Sequence, residues 1–478
     1  MADRSIYRVV RLPSGGAIST IPLKSFLLHL FSSQKPKATG FGQTIETVYV
    51  GDEAQAFAMY AGQFTAAGVT ISTTAPFLFQ HHDASAQWQT EIHGLVWLQH
   101  FAASKRQLHN HFALKILARW AKAKKPKHSL LQKAKIIHAL ATDGANIARC
   151  ADPHQQAAFL KIVTTQVCQL VKRPTHGAHE AIIKSIAILT AASAFSGFEP
   201  LRKSAIDVLE NTIDHVVLGD GGLKSADPSA IIEFLAALLP LKKAMNRERQ
   251  AFPPKSFQAT ERALGLLAML RHGDGSLAFS RCANIANGKL DAFLTHEEKH
   301  IVPLNLAPHT KIARLSKGKT LLVVKTADDA AFEFSDGQQT IFRSSLEGAI
   351  LHSSNCDLQD IAAGVVLQQI NRTYFLSSTG QDLRIEDRHS TPIELIFELC
   401  SNVKVTALRK SPDLLLLLPN RNVWKLSMRG AEARIEQNGR ILRLLSTGQT
   451  CINWALKKQL RQTRSNTRKA NLETDLLM

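Results

Sequence analysis

The chain has 478 residues, with 58 Lys plus Arg against 39 Asp plus Glu, which gives a formal net charge of +19. A hydrophobic content of 45% excludes a disordered chain, and 26 glycines without a period exclude a collagen-like one. The six cysteines are scattered and form no CxxC pair, which excludes a disulfide scaffold and fits free thiols in a reducing compartment, while their even number leaves oxidation open. The length predicts two or three domains.

The N-terminal region has no signal-peptide pattern. Its apolar run, Ser25 to Phe31, is short and contains His29. The longest purely apolar run, Leu414 to Leu418, is too short to span a membrane. We therefore expect a cytoplasmic protein, with the periplasm or cell envelope as the alternative.

Residues 1–75 are predicted to form an N-terminal extension with short strands. The stretches Thr44–Val50 and Val69–Thr73 have the composition of strands, and Ala54–Tyr60 that of a helix between them.

Residues 76–295 are rich in Ala, Leu, Ile, Lys and His, with apolar residues at helical spacing. Residues 182–190 and 231–239 are examples, and Asp227 followed by Pro228 is typical of a helix start. Successive helices without strand signals predict an all-α domain.

From 303 to 456 the pattern changes to short strands separated by turn residues, which predicts a β-sandwich. The predicted strands are Thr320–Lys325, Ala331–Ser335, Thr340–Arg343, Gly364–Gln369, Thr373–Ser377, Ile393–Leu399, Leu414–Leu418 and Asn422–Ser427. Residues 457–478 begin with a basic, acid-free stretch and are predicted to be a disordered tail.

Several local patterns, in the right order along residues 55–456, resemble bacterial heparinase II/III family proteins of the alphaproteobacterial type. In the helical part they are MYAGQFTAAG at 59–68, WQTEIHGLVWLQHF from Trp88, GDGGLKSADPSAIIEFLAALLPLK at 219–242 and TERALGLLAMLRHGDGSLAFSRCAN at 260–284. In the sandwich they are AFEFSDGQQTIF at 331–342, NRTYFLSSTGQDLRIEDR at 371–388 and DLLLLLPNRNVWKL at 413–426.

The resemblance implies an N-terminal (α/α) toroid followed by a C-terminal antiparallel β-sandwich. It also implies a polysaccharide lyase that cleaves uronic-acid-containing glycans by β-elimination. In that reaction a base removes the proton beside the uronate carboxylate, a cation or hydrogen-bond donor neutralises the carboxylate, and an acid protonates the leaving oxygen.

The residues that the resemblance implies for this chemistry are mostly missing. No Tyr follows Gly221–Gly222, where active members carry one, and none of Tyr7, Tyr49, Tyr60 and Tyr374 fits that position. The family's metal-binding histidines are absent from Ala327–Glu333 and from Ile396–Ser401. One remaining histidine, His352, cannot hold a zinc ion alone, so we predict no metal and no cofactor.

Three histidines are candidate catalytic residues. His352 is retained from the family pattern, while His176 and His179 occupy the place of a segment that holds the substrate carboxylate in active members. The structural alternatives are a hydrogen-bonded histidine at 352 and two exposed histidines at a helix start at 176 and 179.

A basic belt lies between Glu91 and Asp143, where no acidic residue occurs. From it we predict substrate-binding roles for Lys105, Arg106, Lys115 and Arg119, with Trp97 and Trp120 as stacking platforms for sugar rings. Arg343 in the sandwich is a further candidate. The structural alternative is a solvated helix face with ordinary core aromatics.

Two functions therefore remain open: a lyase with weakened or lost activity, and a non-catalytic protein that binds an anionic polysaccharide or another polyanion. Nucleic acid is a less favoured partner, because no helix-turn-helix, zinc-finger or RNP pattern occurs. The sequence does not predict the oligomeric state.

Overall fold

The computed structural model describes residues 36–459 except 75–76, 82–83, 124–126, 225–228, 280–291, 296–300, 327–330, 345–355, 370, 389–393, 401, 409–410, 437–438 and 448–450. The helices are α1 Glu53–Tyr60, α2 Ala86–His93, α3 Leu98–Ser104, α4 Gln107–Lys122, α5 Leu130–Ala139, α6 Ala145–Arg149, α7 Pro153–Val171, α8 Ala178–Ala194, α9 Glu199–Thr212, α10 Ser229–Arg247 and α11 Pro254–Leu270. A π-helical turn, Leu140–Gly144, joins α5 to α6. Within these described ranges, no helix is both long and apolar enough to cross a bilayer.

Two short antiparallel pairs accompany the helices. They are β1 Gly40–Phe41 with β4 Phe195–Ser196, and β2 Gln63–Ala66 with β3 Val69–Ser72. The C-terminal strands are β5 Leu306–Ala307, β6 Ile312–Lys317, β7 Thr320–Lys325, β8 Phe332–Asp336, β9 Gln339–Ser344, β10 Cys356–Ile361, β11 Gly364–Gln369, β12 Arg372–Ser377, β13 Asp382–Arg388, β14 Glu394–Leu399, β15 Lys404–Ala407, β16 Leu414–Leu417, β17 Val423–Arg429, β18 Ala431–Glu436, β19 Ile441–Ser446 and β20 Cys451–Gln459.

These C-terminal strands form two eight-stranded antiparallel sheets. The first has the order β18-β19-β14-β9-β8-β7-β6-β5, and the second has the order β10-β11-β12-β13-β20-β17-β16-β15. Helices followed by two antiparallel sheets confirm the predicted fold class.

Two local predictions are wrong. Residues 44–50 are not a strand; Ile45 and Val48 are buried in the helical core, and Glu46 binds Arg247 of α10 at 2.7 Å. The predicted tail begins too early, because β20 continues to Gln459 and includes Lys457 and Lys458. Residues 460–478 lie outside the described residues.

Strand β7 connects the helical core to the sandwich core. Leu321 and Val323 pack into the helical core, while Leu322 and Val324 pack between the two sheets. Because successive side chains of a strand point to opposite faces, a strand covered on both sides is apolar throughout. The first sheet is therefore the middle layer between the helices and the second sheet.

Two aspartates attach glycine-rich turns of the helical domain to the first sheet. Asp220 accepts hydrogen bonds from the Thr310 backbone N at 2.7 Å and its Oγ1 at 2.6 Å. Asp274 binds the Thr340 Oγ1 at 2.5 Å and also accepts from the Ser276 backbone N and Oγ. The two turns quoted above as family patterns are therefore contacts between the domains.

A buried histidine makes a third contact between the domains. His272 is fully buried, and its Nε2 lies 3.0 Å from Glu333 Oε2 while its Nδ1 lies 3.2 Å from Ser335 Oγ. Glu333 also accepts a hydrogen bond from the Phe279 backbone N at 2.9 Å. The alternation of β8 explains this placement, because Phe332 and Phe334 face the sandwich core while Glu333 and Ser335, which alternate with them, face the helices.

Replacing Asp274 should destabilise the whole protein. In Asp274→Ala the Thr340 and Ser276 donors lose a charged acceptor, so we expect the free energy of unfolding to fall by about 2–4 kcal/mol. Urea unfolding measures the change. The matched control is Asp360→Ala, whose exposed ion pair with Lys317 should contribute less than about 1 kcal/mol. Equal effects of the two variants would show that the Asp274 contacts do not stabilise the domain junction.

Candidate functional site

A cavity of about 450 Å³ lies inside the helical domain. Its wall is formed by α5, the π-helical turn, α8 and α10, with residues 47–49 and 94–96 closing one side. Most of the lining is aliphatic, and the described lining contains no arginine. A pocket of this size, mainly apolar with a few polar groups, has the character of a small-molecule site.

His138 and Asp143 are the polar groups on the wall around the π-helical turn. His138 is the second-to-last residue of α5, two residues before the turn begins, and Asp143 lies within the turn. A π-helical turn closes i to i+5 hydrogen bonds, so residues five apart project to nearby positions on the helix surface. The wider turn therefore brings both side chains to the same cavity.

The apolar surroundings shift the pKa values of these two groups in opposite directions. Burial lowers the pKa of His138 to about 4, so the imidazole is neutral at pH 7. Burial raises the pKa of Asp143 to about 7. The buried Nδ1 of His138 has no hydrogen-bond partner among the residues that the structure describes.

The other ionisable groups of the lining add little charge. Lys135 and Glu233 form an ion pair at 2.9 Å with both side chains more than half exposed. Tyr49 packs edge-on against Phe293 at 5.2 Å, and burial raises the pKa of its hydroxyl. The remaining ionisable group of the described lining is His179, which lies in the first turn of α8.

The candidate catalytic histidines do not come together. His179 lines the cavity, whereas His176 is exposed outside it, with its backbone N donating to Glu180 Oε2 at 2.7 Å. His352 lies outside the described residues. Arg343 lies at the domain junction, 4.0 Å from Glu333, and its side chain is one-third exposed.

The predicted basic residues lie on the surface and not in the cavity lining. Two of them, Lys115 and Arg119, form a row with His111 and Lys122 along the exposed face of α4, named here the basic row. Within the parts of the chain that the structure describes, Lys105, Lys115, Arg119 and Lys122 form no ion pair. Arg106 differs, because it binds Glu53 at 3.3 Å and lies over the Phe57 ring.

The prediction that Trp97 and Trp120 stack on sugar rings is wrong. Trp97 is 2% exposed and Trp120 is fully buried. Their indole N–H groups donate to the backbone oxygens of Ile92 and His93, each at 3.1 Å. Both rings are core residues that hold the segment between α2 and α3.

No cluster of three or more His, Cys, Asp or Glu side chains that could hold a metal ion occurs in the described residues. His352, the retained histidine of the family's metal segment, is not among them, so the prediction of no metal stays a prediction.

Solved structures of heparinase III and of a heparan sulfate lyase share this architecture. Two heparinase III structures align with TM-scores of 0.60, at 13% and 14% identity, covering 91% and 87% of this chain and 89% and 86% of theirs. Heparan sulfate lyase HepC from Pedobacter heparinus aligns with a TM-score of 0.52 at 13% identity, covering 85% of this chain and 82% of that one. The likeness shows the fold, a helical toroid followed by a β-sandwich.

Sequence comparison finds similarity to a protein that is not one of these structural neighbours. FtsZ-localized protein C from Caulobacter vibrioides is 28% identical over 185 residues, which are 38% of this chain and 32% of that protein. The match thus spans about one third of the relative's length. No family model matches the chain.

The raised pKa of Asp143 should make the stability gain of Asp143→Asn depend on pH. Between the ordinary carboxyl pKa near 4 and the folded value of about 7, the unfolded chain releases a proton that the folded chain keeps. Wild-type stability therefore falls as pH rises through this window, by at most about 4 kcal/mol. The asparagine variant lacks this loss, so its advantage in urea unfolding should be larger at pH 7.5 than at pH 4.5.

The exposed Asp360→Asn variant is the control for this experiment, since it should show no such increase between the two pH values. An Asp143→Asn gain that is the same at both pH values would mean that the Asp143 carboxyl titrates normally.

Proposed function

We propose that this chain is a degenerate relative of the heparinase II/III lyases that binds an anionic polysaccharide through the basic row and does not cleave it. The observation that carries the proposal is the basic row itself, a histidine and three cations on one exposed helix face that form no ion pair within the described ranges. No acidic residue occurs anywhere between Glu91 and Asp143 to compensate them in sequence.

The spacing within the basic row favours an external anion. Lys115 and Arg119 are four residues apart, and Lys122 follows three residues later, so neighbouring cations lie on the same helix face and repel one another. A polymer with regularly repeated acidic groups relieves this repulsion along the whole row. Binding of this kind weakens as salt screens the charges.

The charge of the cavity argues against β-elimination there. Tyr49, His138 and His179 could exchange protons, but the carboxylate of a uronate also needs a positive neighbour. Lys135, the one lysine of the described lining, is already paired with Glu233. A polyanion would therefore enter an apolar cavity whose described lining contains Asp143 and no unpaired cation, which is unfavourable.

Reversing two charges of the basic row should weaken binding to heparin. The double variant Lys115→Glu with Arg119→Glu should elute from a heparin column at a clearly lower salt concentration than the wild type. The matched control is Lys203→Glu with Lys319→Glu, which changes the net charge equally at two exposed lysines elsewhere. Equal shifts for both variants would assign the binding to overall charge and contradict the basic row as the site.

Competition identifies the class of polymer. Heparan sulfate, alginate and hyaluronate should displace the protein from heparin more effectively than duplex DNA at equal charge concentration. Preferential displacement by DNA would replace the polysaccharide with nucleic acid as the partner.

Wild-type protein should release no unsaturated uronate from heparin, heparan sulfate, alginate or hyaluronate. The absorbance of the product's double bond measures this at high protein concentration and long incubation. Release of that product, abolished in His138→Ala or His179→Ala, would establish elimination in the cavity and overturn the non-catalytic half of the proposal.

A second candidate function is association with FtsZ, favoured by the similarity to FtsZ-localized protein C. Co-sedimentation with purified FtsZ filaments tests it, with the two double charge variants as probes. Loss of co-sedimentation only in the Lys115→Glu, Arg119→Glu variant would place FtsZ on the basic row, and no co-sedimentation of the wild type would exclude this candidate.

A further inference from the structure

The cavity of the helical domain has no part in the function proposed above, yet its lining is mainly apolar with a few polar groups. Residues such as Leu95, Ile183, Ile186 and Ala237 give it an aliphatic wall. Its volume of about 450 Å³ falls in the range of small-molecule sites. An apolar body of this size would leave water for a matching apolar surface.

One polar atom at the polar end of the cavity lacks a partner. Among the described residues, the buried Nδ1 of His138 has no hydrogen bond, although buried polar groups of proteins are nearly always paired. Asp143 lines the same cavity. A hydroxyl group can donate to a ring nitrogen or a carboxylate and can accept from a protonated carboxyl, so it is compatible with each state of the pair.

The charges around the cavity exclude ionic ligand heads. An anionic head would meet Asp143, with no arginine in the described part of the lining and with Lys135 paired with Glu233 at 2.9 Å. A cationic head would have to be desolvated among aliphatic side chains, beside a carboxyl that is only partly ionised near neutral pH. An uncharged head avoids both costs.

We propose that this cavity binds an uncharged amphiphile, a hydrocarbon chain bearing one hydroxyl group, with the hydroxyl at His138 and Asp143 and the chain along the wall of α8 and α10. This inference is independent of polymer binding at the basic row. Each methylene added to the chain should strengthen binding about fourfold until the cavity is filled.

Displacement of a neutral fluorescent dye tests the ligand class. Nile red should bind the full-length protein and be displaced by 1-octanol, 1-nonanol and 1-decanol in steps of about fourfold. Decanoate and decylamine should require at least tenfold higher concentrations than 1-decanol. Absence of dye binding, or equal displacement by alcohol, carboxylate and amine, would overturn the proposal.

A cavity-filling variant locates the site. Ala237→Trp should abolish displaceable dye binding, because the indole occupies the volume beside α10. The matched control, Ala118→Trp, lies on the exposed face of α4 outside the lining and should bind like the wild type. Unchanged binding by a folded Ala237→Trp protein, with folding checked by circular dichroism, would place the dye elsewhere.

A conservative variant keeps the test informative if the tryptophan prevents folding. Bound alcohol covers the Asp143 carboxyl and favours its protonated form, so the affinity for 1-decanol should fall as pH rises from 6 to 8. Asp143→Asn should remove this dependence while retaining binding. The other ionisable groups that face the cavity are Tyr49, Lys135, His138, His179 and Glu233. A wild-type affinity that does not change over this pH range would contradict a hydroxyl at Asp143.

Discussion

The junction of the helical domain with the first sheet depends on three carboxylates that accept hydrogen bonds across it. Asp220 and Asp274 each hold a threonine of the sandwich, and Glu333 binds His272. Burying such groups is favourable only when their hydrogen bonds are complete, so these contacts restrict the two domains to one relative position.

The close packing at this domain junction also explains the glycines in the turns that carry Asp220 and Asp274. A Cβ on Gly222 would lie 2.0 Å from Thr310 Oγ1, and one on Gly273 would lie 1.8 Å from the Gly337 carbonyl oxygen. Gly221, with φ near +90°, would also place a Cβ 2.2 Å from the backbone of Arg262. The DGG and HGDG turns therefore have a structural explanation that requires no catalytic role.

Sequence reasoning worked where local pattern determines structure and missed what long-range contacts decide. The strands Thr320–Lys325 and Gly364–Gln369 have the predicted bounds, because alternation and flanking turns define them locally. Residues 44–50 have strand composition but pack onto helices, and no strand of the described chain pairs with them. The sequence predicts Lys458 in the disordered tail, yet its ammonium binds Asp336, 122 residues earlier, at 2.7 Å.

The candidate functional residues likewise include some that the sequence predicts and some that only the structure shows. The exposure of Lys115 and Arg119 follows from the one-signed helix face and was predictable. The cavity pair was missed, because neither the π-helical turn nor burial around His138 can be read from spacing. The one available signal was Asp143, the acid that ends the acid-free stretch within apolar helical sequence.

The two tryptophans predicted as sugar platforms instead shape the cavity wall. Leu95 is fully buried in the cavity lining with φ near +64°, a left-handed conformation that is strained for a leucine. Such a conformation persists only when its surroundings fix it. Trp97 and Trp120 do so by donating to the carbonyls of Ile92 and His93, just before Leu95. Since Trp120 belongs to α4, the helix that carries the basic row on its outer face also holds the inner wall of the cavity in place.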